Sequence, residues 1–331
     1  HAARMDRLVP DYENRFAPIH GPQLALLFAP LARLPYEVAF GVWIALAVAG
    51  YALCCVLLGS AQSGVTEYRW VAVVLAAGYP AFYFLIAFGQ SSVLALGCIT
   101  AAYFALKANR PWLAGLALGS LIYKPQFGVV LPFVLLYGRE WRMVAGATLG
   151  AVVQLGAGAI YFGAGSLRQY FDAVTHVGEI ANVLEPIPYQ MQSLRSFFSV
   201  LIPWTGLAWA GYLIASAIIV ILAAVCWRSR AVLELRFSVL LLAMVLVDPH
   251  VNPYDLIAIV PVFFLTLPWA TGPGRTARLM LLLLYLCYYL PAVSFLPTVT
   301  HVQFSVVALV ALLFVLVRFA DGQVGRSSAS A

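Results

Sequence analysis

The chain has 331 residues, 63% of them hydrophobic and only 10% charged, with a mean hydropathy of +0.92. Soluble domains carry roughly 25% charged residues and could not hide this much apolar surface, so a soluble globular fold is excluded and an all-α, polytopic membrane protein is expected. The net charge of +6 reads as topology information and not as a nucleic-acid footprint.

The first twenty residues, "HAARMDRLVPDYENRFAPIH", contain no initiator methionine, no signal-peptide pattern and no apolar segment. The expectation is that the natural amino terminus, with a first transmembrane helix, lies upstream of His1, and that residues 1–36 are the end of a first outer loop. Asp11 and Glu13, in "PDYENRF", are either general-base candidates or solvated loop charges.

Apolar runs then predict about nine spans, over 37–58, 70–88, 91–107, 142–163, 205–227, 234–247, 255–270, 279–296 and 303–319, several of them shorter than the roughly 20 residues a perpendicular helix needs. Between the third and fourth lies "PWLAGLALGSLIYKPQFGVVLPFVLLYG", 111–138. Its apolar halves each reach only about 18 Å at 1.5 Å per residue, so a short helical hairpin with Lys124-Pro125 at its tip is expected. The segment 165–204 is long for a connection and is read as an outer loop containing an amphipathic interfacial helix. Residues 320–331 are expected to be a disordered cytoplasmic tail. The whole chain, 1–331, is read as one integral-membrane domain, with 37–319 as its bundle.

Arg69, Lys107, Arg110, Arg139, Arg142, Arg228, Arg230, Arg236, Arg275, Arg278, Arg318 and Arg326 all fall on one side of this topology. The turns opposite, 89–90, 248–254 and 297–302, contain neither Lys nor Arg. The basic side is therefore expected to be cytoplasmic, which puts the hairpin tip, the 165–204 loop and the turn "VDPHVNPYDL", 247–256, on the outer face.

That outer face collects the candidate chemistry. Lys124, inside an apolar hairpin, is either a cation that holds an anion such as a lipid phosphate or a snorkelling lysine. His250 lies between Asp248 and Asp255, with Pro249 and Pro253 fixing the turn. It is read as a phosphate donor oriented by a carboxylate, with a solvated turn or a weak metal site as alternatives. Gln90, in "FGQSS", opens a helix where backbone donors suit an anion or are simply capped. Arg195, in "YQMQSLRSFF", binds phosphate or contacts headgroups. The five cysteines lie in apolar runs without metal-ligand spacing. No Gly-rich nucleotide loop, GxSxG or HExxH is present.

The stretch 88–142, "FGQSSVLALGCITAAYFALKANRPWLAGLALGSLIYKPQFGVVLPFVLLYGREWR", resembles the membrane glycosyltransferases of family 87. The likeness rests on Gly89-Gln90 at a helix start, a basic turn from Lys107 to Arg110, Ala114-Gly115, Lys124-Pro125 and a second basic turn from Arg139 to Arg142. "GPQLALLFAPLARLPYEVAFGVW", 21–43, is similar to an upstream family segment, with Gly21-Pro22 where Tyr-Pro-Pro is commoner. Gln192-Ser193-Leu194 resembles a loop motif, and Pro249-His250 with Tyr254-Asp255 a "PH…YD" turn.

The resemblance implies a GT-C fold and inverting transfer of mannose or arabinofuranose from a polyprenyl-phosphate donor to a lipid or glycan acceptor, at the outer face of a bacterial inner membrane. It implies donor-phosphate binding by Lys124, His250, Gln90 and Arg195, supported by Asp248, Asp255, Tyr254 and Gln192, with no metal and no cofactor. The family's catalytic aspartate lies in the first outer loop. Asp6 and Asp11 do not match its motif, so Asp11 is only a weak candidate and the base is expected upstream. The alternative is a multi-pass transporter or lipid flippase, which would spread polar residues over both faces and the midplane.

Overall fold

The computed structural model describes residues 21–61, 74–176 and 188–329, with side chains to Gln323. Asp6, Asp11, Glu13 and Arg69 lie outside the described residues, as does part of the expected 70–88 span. Among the described residues every regular element is helical: α1 Pro22–Phe28, α2 Tyr36–Ser60, α3 Pro80–Ala87, α4 Ser92–Lys107, α5 Pro111–Gly119, α6 Leu131–Tyr137, α7 Trp141–Phe162, α8 Ala164–Thr175, α9 Leu194–Leu201, α10 Thr205–Arg228, α11 Leu233–Val247, α12 Val260–Ala270, α13 Arg275–Tyr289, α14 Pro297–Thr300 and α15 Phe304–Ala329. Pro22, Pro80 and Pro111 each open their helix, where a missing N–H removes no intrahelical bond.

Six of these stretches are long and apolar enough to cross a membrane: Tyr36–Ser60, Trp141–Phe162, Thr205–Arg228, Pro253–Ala270, Arg275–Val293 and Phe304–Gln323. Two other expected spans are shorter. Ser92–Lys107 has 16 residues and Leu233–Val247 has 15, or about 24 and 22 Å of helix at 1.5 Å per residue. α11 is buried from Phe237 to Val247 without a break, which makes it the central helix of the bundle, apolar on all sides. The hairpin forms as expected, from Pro111–Tyr123 and Pro125–Tyr137.

One expectation is corrected and one is met in part. Residues 320–331 were expected to be disordered, yet α15 continues to Ala329. The 165–204 segment carries α8 and α9. Both have amphipathic spacing, α8 through Leu167, Tyr170, Phe171 and Val174 and α9 through Leu194, Phe197, Phe198 and Leu201, and the Phe198 ring lies against Gly211 of α10.

The hairpin's first half lies unusually close to α7. A Cβ on Gly115 or Gly119 would collide with the backbone of Met143 or Ala147, and one on Gly146 or Gly150 with that of Trp112 or Leu116. Glycines four apart on both helices let the two backbones touch, as small residues do wherever helices meet in lipid.

The bundle has two chemically distinct ends. At one, Lys107 Nζ donates to the Ala61 carbonyl at 3.1 Å, Tyr103 Oη to Glu234 at 3.0 Å and Trp227 Nε1 to Glu140 at 3.3 Å, while Arg228 lies 5.5 Å from the Tyr137 ring. The other end holds Ser92, Lys124, the 248–255 turn, Arg195 and Gln192, joined as described next.

Candidate active site

Three chain reversals meet at this second end. The first is the turn into α4. Gly89 adopts φ +58, a left-handed conformation that favours glycine, and its carbonyl accepts from Trp43 Nε1 at 2.9 Å. Gln90 follows, half-buried, with its backbone N–H on the Leu85 carbonyl at 3.0 Å. The second is the hairpin tip. Lys124 precedes a proline, which disfavours helical backbone, and it sits at φ −127, ψ 73. The third is the turn after α11, where Asp248 precedes Pro249 and leaves the helix at ψ 122.

At their junction Lys124 Nζ lies 2.6 Å from Asp255 Oδ1 and 2.8 Å from Ser92 Oγ. Ser92 Oγ donates to the same Asp255 oxygen at 2.6 Å. The Lys124 and Asp255 side chains are 4% and 2% exposed. The Tyr254 ring centroid is 5.2 Å from Nζ, within cation–π range. Below the tip, Tyr123 Oη donates to the Ser91 carbonyl at 3.1 Å.

Asp255 also fixes its own turn. Oδ2 accepts the Asn252 backbone N–H at 3.1 Å, and the Asn252 side-chain nitrogen lies 3.3 Å from His250 Nε2. Asp248, buried, accepts the His250 backbone N–H on Oδ1 at 2.7 Å. The loop before α9 docks on the other side of this turn: Gln192 N–H donates to the Val251 carbonyl at 2.8 Å and Arg195 to the Pro249 carbonyl at 3.3 Å. The Arg195 guanidinium stands 5.5 Å from the Trp209 ring. Gln192 is itself buried and accepts from Ser305, and Gln303 binds the Met191 carbonyl at 2.7 Å.

The structure therefore brings Lys124, Asp255 and Tyr254 into direct contact and places His250 and Asp248 on the same turn, with Arg195 and Gln192 packed against it. It also corrects two details. Lys124 was read as a cation at a polar tip, but it points inward and is ion-paired, because a lysine within an apolar bundle needs a counter-charge. Asp248 or Asp255 was read as the carboxylate that orients the His250 ring. Asp255 pairs with Lys124, Asp248 binds the His250 backbone N–H, and Asn252 stands beside the imidazole. Asn252 and the Ser92 hydroxyl were missed as site residues. The Asn252 signal was present in "NPYD", an Asn before a helix-opening proline with an acid three residues on.

Beside this junction runs an apolar cavity of about 1150 Å³ between α1, α2, α4, α5 and α7. Leu24, Phe28, Trp43 and Leu53 line it, with Gln23 and Gln154 among its few polar groups. Val93 and Tyr123 also face it, and each is the chain neighbour of a junction residue, Ser92 and Lys124. Among the described residues no group of three or more His, Cys, Asp or Glu is placed to hold a metal ion.

The family model of glycosyltransferase family 87 matches residues 19–249, well over half the chain. The chain belongs to glycosyltransferase family 87. It is thus a membrane glycosyltransferase, which has sugar donors and acceptors as its substrates. The match ends at Pro249, so His250, Asn252, Tyr254 and Asp255 lie beyond it. The fold nevertheless joins them to Ser92, Lys124, Gln192 and Arg195 within it. No curated protein and no solved structure matches the chain.

Proposed function

We propose that this family 87 protein transfers a single sugar, mannose or arabinofuranose, from a polyprenyl-phosphate donor to a glycolipid or polysaccharide acceptor, at the outer face of a bacterial inner membrane and with inversion. The observation that carries the reading is a juxtaposition. The polar end of the bundle, with His250 on the 248–255 turn and Arg195 of α9 packed against it, adjoins an apolar cavity of about 1150 Å³ through Val93 and Tyr123. A lipid-linked donor needs both kinds of surface: hydrocarbon for its chain, and cationic or hydrogen-bonding groups for its phosphate. The GT-C arrangement that the family resemblance implies agrees with this division.

In the proposed reaction a carboxylate takes the proton of an acceptor hydroxyl. The oxygen attacks the anomeric carbon from the face opposite the phosphate, the bond from that carbon to the phosphate oxygen breaks, and polyprenyl phosphate leaves. Negative charge grows on the leaving oxygen. Fixed donors from His250 and Arg195, with Gln90 at the helix start, favour that state over the ground state. Asp255 serves Lys124, so the base is assigned to the amino-terminal region, which holds the weak candidate Asp11.

The test uses the full-length protein in detergent or vesicles, given radiolabelled polyprenyl-phosphate mannose or arabinofuranose and an envelope glycolipid extract. Labelled product with the inverted anomeric configuration is expected, and none from nucleotide sugars. Movement of the lipid-linked sugar across vesicles without any glycoside formed would favour the transporter and overturn the enzyme reading.

A further inference from the structure

We propose that the Lys124–Asp255 pair is a clasp with a positional role: with Ser92 and Asn252 it sets the place of the His250 imidazole, and Lys124 does not itself hold the donor. The proposal rests on reading this end of the bundle as the glycosyl-transfer site.

The geometry argues for it in three steps. Two of the three Lys124 N–H groups are taken, by Asp255 Oδ1 at 2.6 Å and Ser92 Oγ at 2.8 Å, and the Tyr254 ring covers the ammonium at 5.2 Å. A phosphate reaching Nζ would have to enter beside a carboxylate already bonded there, and the like charges would repel. Next, Asp255 uses its two oxygens on different segments. Oδ1 faces the hairpin tip and α4, and Oδ2 takes the N–H of Asn252 at 3.1 Å. Finally, the Asn252 amide stands 3.3 Å from His250 Nε2. The order Lys124, Asp255, Asn252, His250 is thus continuous from the buried tip to a half-buried imidazole. Gln192 and Arg195 hold the same turn from the opposite side, so the clasp supplies the inner constraint.

A positional pair and a direct phosphate ligand differ in how their loss combines. Lys124→Met or Asp255→Asn alone leaves one buried group unmatched. In the double variant K124M/D255N both charges are gone. The new amide can turn its oxygen to the Asn252 N–H and its NH2 to Ser92 Oγ, which keeps the turn in place. Replacing both partners of a buried pair is tolerated far better than removing one.

In the full-length protein, assayed with polyprenyl-phosphate mannose or arabinofuranose, K124M and D255N are each expected to lower kcat about ten- to a hundredfold, with the double within about fivefold of wild type and donor KM little changed. Asn252→Ala is expected to lower kcat about tenfold, with a fall in melting temperature no larger than the loss of one helix cap brings. A double variant no faster than K124M, with donor KM raised, would show that Lys124 touches the donor and overturn the proposal. A readout that needs no donor runs alongside. The 15N signals of His250, assigned by their loss in His250→Gln, should move in each single variant and return in the double. His250 signals unmoved in all three would overturn the clasp. Absence of transfer by the wild type, with those signals moving and returning, would instead overturn the donor assignment and leave the clasp standing.

Discussion

His250→Ala is expected to slow sugar transfer without loosening the fold. The turn that carries His250 is held by its backbone and by other side chains. Asp248 Oδ1 takes the His250 N–H at 2.7 Å, Val251 receives Gln192 at 2.8 Å, and Asp255 takes the Asn252 N–H at 3.1 Å. The first of these uses a main-chain atom that alanine keeps. What the substitution removes is the half-buried imidazole and its 3.3 Å contact with Asn252. Losing a hydrogen bond to a charged group costs about 1.5–3 kcal/mol, which is roughly ten- to a hundredfold in rate. His250→Gln, which keeps a donor, should fall between wild type and alanine. The assay is transfer from polyprenyl-phosphate sugar under saturating donor, paired with thermal unfolding in detergent. Transfer within about twofold of wild type for His250→Ala would refute the assignment of a leaving-group role. A fall in melting temperature as large as that of D255N would show that the imidazole is packing and not chemistry.

Arg195→Ala should raise donor KM and lower the melting temperature, since it loses both the Pro249 carbonyl and the Trp209 face; Arg195→Lys should recover only part, because lysine lacks the planar fork. Gly146→Ala should destabilise by about 1–3 kcal/mol through the clash with the Trp112 backbone, whereas Gly156→Ala on the same helix, with open space at its Cβ, should be neutral or slightly stabilising in a melting assay. Cysteines placed at Ser166 and at Arg230 should label from opposite sides of the membrane, with Ser166 reached from outside; the native cysteines are buried or half-buried and should give little background. Labelling of Ser166→Cys from the cytoplasm alone would reverse the topology.

The all-helical bundle could be read from sequence because long apolar runs admit few alternatives in lipid. The hairpin could be read because Lys124-Pro125 interrupts a run too short to cross twice. The family resemblance likewise rested on local strings such as Gly89-Gln90 and Pro249-His250. The pairing of Lys124 with Asp255 could not be read, since 130 positions of chain intervene and nothing in either string names the other. Proximity in sequence offered both Asp248 and Asp255 to His250. Burial drew Asp255 away, because the lysine had the more pressing need for a counter-charge. The 234–247 run was read as one of the nine spans, and the helix it forms, Leu233–Val247, has 15 residues and is buried from Phe237 to Val247.

The same reasoning says why a buried ion pair is tolerable at this place. Bringing a lysine and an aspartate together inside the bundle has a desolvation penalty that their attraction only roughly offsets, so the pair adds little net stability. Breaking it on one side is another matter, at about 3–5 kcal/mol. That asymmetry selects structure. An arrangement that parted the hairpin tip from the 248–255 turn would strand a charge among apolar side chains, while the observed one pairs Lys124 with Asp255 and Ser92 and gives both oxygens of Asp255 a partner. Glycine contact between α5 and α7 sets the depth of the hairpin, and the ion pair sets which turn it meets. Two independent constraints on one tip leave little freedom for the residues just outside it. An imidazole that must meet a developing charge within a few tenths of an ångström requires that kind of support.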